Sequence, residues 1–312
     1  MTKLYIYKMN AYRLNPELVT FLVSKKPDTN QVTIEGYRSN LVLLFKNLTG
    51  KSKYDFNMDE LNTFTPQQMI DSVVNSKKSN SYERNMLCAI RAYTGDEDVV
   101  KIITAIGQRE KQIAKIPEAT EAIKEHHMSQ EELDAKYEEL KAIADPLWKS
   151  TDLENDFQKV QNFVMYCLVC GKFIAPRRTT DWITMKLGNM DLEKDNHIAG
   201  KTFIFHQYKT SKHLGTQIID IPPELYKIIK KWRRFNKLED MFVGNDFHPM
   251  NSSVYAKHLN TIMGGKDSHG KSTNNFRHIY LTNKYSNLLD LSEDMENMGS
   301  STSMAHHYIK KV

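Results

Sequence analysis

The sequence predicts a mainly α-helical protein with a small antiparallel β-sheet in its second half. Apolar residues recur at spacings of three and four along most of the 312 residues, as expected for amphipathic helices. Residues 202–221 instead contain two β-rich runs separated by a polar turn with Gly215, which indicates a β-hairpin. With 40% hydrophobic and 26% charged residues, the composition is typical of a folded globular protein.

The order of these patterns predicts two domains joined by a linker. Residues 1–107 predict a small helical domain, with a capped helix that closes at Gly95. Residues 108–150 are charged, and they contain a capping box, Ser129-x-x-Glu132, which predicts a helical linker. Residues 151–312 predict a second, mostly helical domain. Its elements are a buried helix over 152–171, the hairpin, and helices within 224–235, 252–263 and 276–289.

Charge and apolar content narrow the function classes. The formal net charge is +5, and residues 151–312 hold the whole excess, with 22 Lys+Arg against 17 Asp+Glu. A positive surplus fits a polyanionic partner. No run approaches the roughly 20 apolar residues of a membrane span, and no signal-peptide core is present. We therefore expect a soluble, intracellular protein, and the sequence does not distinguish nucleus, cytoplasm or viral factory.

The cysteines predict core packing instead of a metal site. Cys167 and Cys170 lie in an apolar run, with no second pair or His partner at zinc-finger spacing. We expect both to be buried in a helix, and we expect no metal.

Four side chains of the second half, Arg178, Lys209, Arg277 and Tyr308, together supply what metal-free phosphodiester cleavage needs. Two guanidiniums can bind the charged oxygens of the phosphoryl transition state through bidentate hydrogen bonds. A Lys on a hairpin can protonate the departing 5′ oxygen as a general acid. A tyrosine whose pKa is lowered by nearby positive charge can attack phosphorus.

The order and sequence context of these residues resemble the tyrosine recombinases, the superfamily of phage integrases and related viral and transposon enzymes. The run Arg178-Thr-Thr-Asp181-Trp182 resembles the family's Arg-x-x-Glu/Asp-apolar signature, in which the acid supports the first catalytic arginine. Lys209 resembles the hairpin lysine of phage-type enzymes. Phe276-Arg277-His278 and the ending Met304-Ala-His-His-Tyr308 resemble the family's Leu-Arg-His element and nucleophile segment.

The resemblance covers roughly residues 150–312, which it identifies as a tyrosine recombinase catalytic domain. It extends more loosely to residues 1–107 as a DNA-binding, core-binding domain. It implies a site-specific recombinase or integrase of a virus or mobile element that cleaves and rejoins DNA through a 3′-phosphotyrosyl intermediate. It further implies double-stranded DNA as partner, a homotetramer on paired DNA sites and no cofactor.

Two positions depart from the family pattern. Three residues before the second arginine, where the family usually has His or Lys, this chain has Asn274, and an amide cannot act as a general base. About nine residues before the nucleophile, the family usually has His or Trp, whereas this chain offers Gly299 or Ser300. We therefore regard Asn274, Ser300 and His307 as possible auxiliary groups, together with Asp181.

Two other functions fit the same residues. A type IB DNA topoisomerase shares the chemistry and would relax supercoils without preference for a site. A DNA-binding protein with a partly decayed recombinase site, as Asn274 suggests, would bind DNA and form no covalent link.

Overall fold

The structure is a computed structural model that describes residues 15–113, 127–264 and 272–285. The chain divides into two compact units, residues 1–118 and 119–312.

The first unit is helical throughout its described part. Its helices begin at polar caps: the Asn30 side chain accepts a hydrogen bond from Thr33 N, and Thr65 and Gln68 form a capping box. Two of them end at glycines in the left-handed conformation, Gly50 and Gly95. The helices are α1 (Pro16–Lys25), α2 (Gln31–Thr49), α3 (Met58–Leu61), α4 (Pro66–Val74), α5 (Asn80–Thr94) and α6 (Asp98–Ile113).

The second unit is built around one buried helix, α8 (Leu153–Val169). The α8 helix packs against four others, and the Tyr166 hydroxyl on it donates to the Leu133 carbonyl at 2.8 Å. Cys167 and Cys170 are buried in the same core, as the sequence predicts. The other helices are α7 (Gln130–Ala144), α9 (Thr179–Ile183), α10 (Ser211–Leu214), α11 (Pro223–Phe235), α12 (Ser252–Ile262) and α13 (Thr273–Tyr285).

A four-stranded sheet lies in the second unit, which confirms the predicted fold class of a mainly helical protein with one small sheet. Its strands are β1 (Met185–Lys186), β2 (Asn196–Ala199), β3 (Thr202–Phe205) and β4 (Gln217–Asp220), in the order β1-β2-β3-β4. The predicted hairpin is β3–β4, and β2, β3 and β4 pair antiparallel. The sheet is nevertheless mixed, because the short β1 pairs parallel with β2.

The segment 108–150 differs from the linker that the sequence predicts. Helix α6 passes residue 107, and the structure describes it as far as Ile113. Farther along, Leu133, Tyr137 and Leu140 of α7 are buried in the core of the second unit, because their spacing forms one apolar face. The predicted capping box is present, with Ser129 Oγ accepting from Glu132 N at 3.2 Å. The second half of the predicted linker thus belongs to the second unit.

None of the helices in the described ranges is long and apolar enough to cross a membrane.

Candidate active site

A pocket of about 570 Å³ in the second unit brings together three of the predicted catalytic residues, Arg178, Lys209 and Arg277. They come from three elements: the start of α9, the turn after β3, and the first turns of α13. The full lining is Arg178, Thr179, Thr180, Thr184, Gln207, Tyr208, Lys209, Thr273, Asn274 and Arg277.

The two arginines are placed by a hydroxyl pair that joins their helices. Arg178 is the N-cap of α9 and has an extended backbone, with φ −71° and ψ 153°. Thr179 Oγ1, at the first position of α9, lies 2.9 Å from Thr273 Oγ1, at the first position of α13. Arg277 follows Thr273 by one helical turn. The hydrogen bond between these hydroxyls therefore holds the two guanidinium-bearing helix starts together.

Helix α13 is anchored on its opposite face by the core. Phe276 and Ile279 are buried, and the Phe276 ring meets the ring of Tyr166 edge-on at 6.0 Å between centroids. Arg277, between them in sequence, is half-buried and lines the pocket. Asn274 lies in the first turn of α13, exposed at the pocket.

Lys209 lies on a hydrogen-bonded turn. The Tyr208 hydroxyl donates to the Gly215 carbonyl at 2.6 Å, and the Tyr208 carbonyl accepts from Ser211 N at 3.0 Å. The intervening residues form the short helix α10, which the sequence pattern does not reveal. The Lys209 side chain is exposed. The residue before it, Tyr208, holds the turn through both its hydroxyl and its carbonyl group.

Asp181 contacts a different arginine from the one expected. Its Oδ2 accepts a hydrogen bond from Arg177 Nε at 2.9 Å, and Arg177 also donates to Gln217 Oε1 at 2.8 Å. Burial lowers the pKa of Arg177, and the Asp181 carboxylate opposes that shift. The expected direct support of Arg178 by Asp181 is thus replaced by a pair with the preceding residue, because Arg178 as N-cap lines the pocket instead.

The three cations of the pocket have no acidic partner among residues 15–113, 127–264 and 272–285. Within the ranges that the structure describes, the side chains of Arg178, Lys209 and Arg277 form no hydrogen bond and no ion pair. Three positive charges around one open cavity create a strongly positive potential. Such a cavity favours an anion that accepts several hydrogen bonds, such as a phosphate group. In the same ranges, no group of three His, Cys, Asp or Glu side chains is arranged to hold a metal ion.

Tyr308, Ser300 and His307 lie outside the described residues. Several pocket residues were not singled out by the sequence, namely Thr179, Thr180, Thr184, Gln207, Tyr208 and Thr273. Three of them, Thr179, Thr180 and Thr273, are short polar residues next to a predicted catalytic or auxiliary residue in the chain. That adjacency is the signal that could have found them.

No family model matches the sequence. No curated protein matches it either. Among solved structures, the chain is similar to the Tn1549 transposon integrase in complex with transposon right end DNA. The two share 9% identity over 87% of this chain and 86% of that chain, with a TM-score of 0.48.

The chain is also similar to XerH site-specific recombinase bound to palindromic difH substrate, with 14% identity over 81% of this chain and 69% of that chain and a TM-score of 0.47. Crystalline XerA recombinase shares 13% identity over 87% of this chain and 84% of that chain, with a TM-score of 0.34.

Proposed function

We propose that this chain is a tyrosine-type site-specific DNA recombinase that cleaves and rejoins strands through a covalent 3′-phosphotyrosyl link to Tyr308. The observation that supports the proposal best is the convergence of Arg178, Arg277 and Lys209 on one pocket. They come from separate elements, and the described part of the chain supplies them with no carboxylate partner.

The arginines bind the scissile phosphate in this proposal. Arg178 and Arg277 each present a planar guanidinium that stays charged at any working pH and can form two parallel hydrogen bonds to non-bridging oxygens. Negative charge grows on these oxygens in the transition state, so donors that are already in place lower the barrier. The Thr179–Thr273 hydrogen bond joins the starts of the two helices beside which these donors lie.

The cleavage step exchanges one phosphate ester bond for another. The Tyr308 phenol loses its proton to solvent, and its oxygen attacks phosphorus while the bond from phosphorus to the 5′ oxygen breaks. Lys209, as an ammonium, gives a proton to that 5′ oxygen, which leaves as a hydroxyl. Rejoining is the reverse, with a 5′ hydroxyl of a second strand as nucleophile and the amine of Lys209 as base.

The auxiliary residues act on charge and orientation. Asn274 lies at the start of α13, where its amide can donate a hydrogen bond to a phosphate oxygen without exchanging a proton. Ser300 can donate in the same way. The positive charge of the pocket favours the phenolate of Tyr308, with His307 beside it in sequence. Asp181 acts indirectly, by fixing Arg177 against β4.

Double-stranded DNA is the proposed partner, bound by residues 151–312 with their surplus of basic residues and by residues 1–107 as the DNA-binding domain. We extend the proposal to a homotetramer on paired sites, and to integration of a viral genome or another mobile element, since the resemblance implies these features.

Trapping the covalent intermediate tests the proposal. The full chain first selects duplexes from a random-sequence pool by binding. It is then incubated with the selected duplex, nicked beside the cleavage position so that the released fragment diffuses away. We expect a protein–DNA adduct that survives denaturation and is absent for Tyr308→Phe. Tyr54→Phe, at an exposed tyrosine of the first unit, is the matched control and should react normally.

The absence of an adduct with the wild-type chain, or equal adduct with Tyr308→Phe, would contradict the proposal. Relaxation of supercoiled plasmid without site preference would instead indicate a type IB topoisomerase.

A further inference from the structure

We infer that Asn196, on strand β2, is a positioning residue that fixes Lys209 relative to Arg178. The inference rests on the proposed function, because it assigns Asn196 a role in delivering the proton of Lys209. Asn196 lines no part of the pocket, and no sequence motif singles it out.

The Asn196 side chain is fully buried and connects two elements that border the pocket. Its Nδ2 carries two hydrogens and lies near three acceptors, the Asp181 carbonyl at 3.2 Å, Thr184 Oγ1 at 2.8 Å and the Gln207 carbonyl at 2.8 Å, so two of these acceptors share one hydrogen. Its Oδ1 accepts from two successive backbone amides, His206 N at 2.8 Å and Gln207 N at 2.7 Å.

These hydrogen bonds reach both sides of the proposed catalytic machinery. Asp181 belongs to α9, Thr184 follows α9 directly, and Arg178 is the N-cap of α9. His206 and Gln207 lie between strand β3 and Lys209. The pairing of β3 with β4 stops before them, at Phe205 and Gln217. One carboxamide on β2 therefore holds the backbone between β3 and Lys209 and joins it to the helix that follows Arg178.

A carboxamide suits this place because it both donates and accepts, so it can satisfy the N–H groups of one segment and the carbonyls of both. An apolar side chain there would leave these backbone groups buried and unpaired. Helix α9 has further ties, through Thr179 to α13 and through Asp181 to Arg177. The segment that carries Lys209 also has further ties, from Gln207 Nε2 to the Lys194 carbonyl at 3.0 Å and from the Tyr208 hydroxyl to the Gly215 carbonyl. Because none of these bonds joins α9 to residues 206–207, loss of the amide should change the position of Lys209 relative to Arg178.

The chain contains a matched control in Gln161, another fully buried carboxamide. Gln161 Nε2 donates to the Val243 carbonyl at 2.9 Å, and its Oε1 accepts from Val243 N at 2.9 Å. It connects α8 to the segment after α11 and does not line the pocket. Asn196 and Gln161 thus have the same chemistry and burial, and differ in the segments that they join.

The experiment measures single-turnover adduct formation on two versions of the selected nicked duplex. One has the ordinary 5′ oxygen at the scissile phosphate and the other has sulfur in its place. A thiolate leaves without protonation, since a thiol has a pKa of about 8.5. Lys209→Ala should lose about 10²- to 10⁴-fold on the oxygen duplex and recover most of that loss on the sulfur duplex.

Asn196→Leu should behave as a weaker form of Lys209→Ala. We expect a loss of about 10²-fold on the oxygen duplex, as for a misplacement of roughly 1 Å, and recovery on the sulfur duplex. Gln161→Met, whatever its overall rate, should lose the same factor on both duplexes, because protonation of the leaving group is not its defect.

Equal losses for Asn196→Leu on the two duplexes would make Asn196 merely structural and overturn the inference. If Asn196→Leu does not fold, Thr184→Val removes one acceptor of the same amide, and the same comparison decides. A wild-type chain without adduct would overturn the proposed function and this inference with it. A reactive wild type with no sulfur recovery for Lys209→Ala would overturn the general-acid role, and again the inference that depends on it.

Discussion

Arg177 and Arg178 are adjacent in the sequence but have different surroundings. The Arg177 guanidinium lies 3.9 Å from the centroid of the Phe205 ring and pairs with Asp181, whose side chain is 2% exposed. Arg178 lines the pocket. Sequence context identified Arg178 as the arginine of the pocket, but it could not show which arginine Asp181 contacts, because that depends on how the chain enters α9.

Alanine substitutions should separate these two roles. Arg177→Ala should lower the free energy of unfolding by about 3 kcal/mol, because it leaves the buried Asp181 carboxylate without its partner. Arg178→Ala should change it by less than about 1 kcal/mol but slow adduct formation about 10²- to 10³-fold. Urea unfolding and the adduct assay measure the two effects. Equal destabilisation by both variants would be inconsistent with this assignment.

The buried thiols predict a pH dependence of stability. Burial raises the pKa of Cys170 from 9.0 to about 11, and burial likewise raises that of Cys167. The unfolded chain therefore loses these protons first as pH rises, so the stabilisation is complete below pH 9 and is lost towards pH 11.

Cys170→Ala should make the decline in unfolding free energy over this range shallower by up to about 1.4 kcal/mol per pH unit. Urea unfolding at several pH values measures the slope. Leu168→Ala, in the same buried helix, should reduce stability and leave the slope unchanged. An unchanged slope for Cys170→Ala would refute the prediction.

At the scale of elements, Gly171 sets how closely α13 approaches the end of α8. Gly171 has φ +81°, and a Cβ there would lie 2.6 Å from Tyr280 Cδ2, with Tyr280 Cγ and Cβ within 3.5 Å. Because Tyr280 belongs to the helix that carries Arg277, a side chain at residue 171 would have to displace this helix or strain its own backbone.

Gly171→Ala should therefore lower the unfolding free energy by roughly 1–3 kcal/mol and slow adduct formation as well, because Arg277 moves with α13. Gly200→Ala is the control: its φ is also positive, at +58°, but a Cβ there meets nothing within 4 Å. Gly200→Ala should lower the free energy of unfolding, but each folded molecule should form the adduct at the normal rate. Equal rates for the two variants would show that the approach of α13 is unimportant for catalysis.

The elements that the sequence predicted are those whose pattern is local. The helix ending at Gly171 and the β3–β4 hairpin follow from apolar periodicity and turn residues. The parallel strand β1 depends on distant partners, because Lys186 pairs with His197 and forms a β-bridge with Asp240. No local pattern could reveal these contacts. The short helix α10 has only four residues, too few to show an apolar period.

At the scale of the whole molecule, each unit has a core of its own. One core consists of residues between Leu18 and Ile106, and the other of residues between Leu133 and Ile279. The sequence predicted two helical domains joined by a charged linker. Charge alone did not distinguish this linker from α7, because the narrow apolar face of α7 packs into the second core.

The separate cores predict that residues 119–312 fold alone. We expect this fragment to show one cooperative thermal transition and to form the adduct with the selected duplex at higher DNA concentrations than the full chain needs, since it lacks the proposed DNA-binding domain. Calorimetry and DNA titration measure these properties. A fragment that remains unfolded, while the full chain folds, would show that the cores depend on each other.

The spacing of the three cations along the chain also determines when the pocket can first exist. Arg277 follows Lys209 by 68 residues, and a ribosome adds about 5–20 residues per second, so the pocket lacks its second guanidinium for roughly 3 to 14 seconds of translation. A nascent chain that already contains a folded hairpin therefore cannot yet complete the proposed phosphate site. In the proposed function, each new molecule would become able to react with DNA only after its second unit has been synthesised.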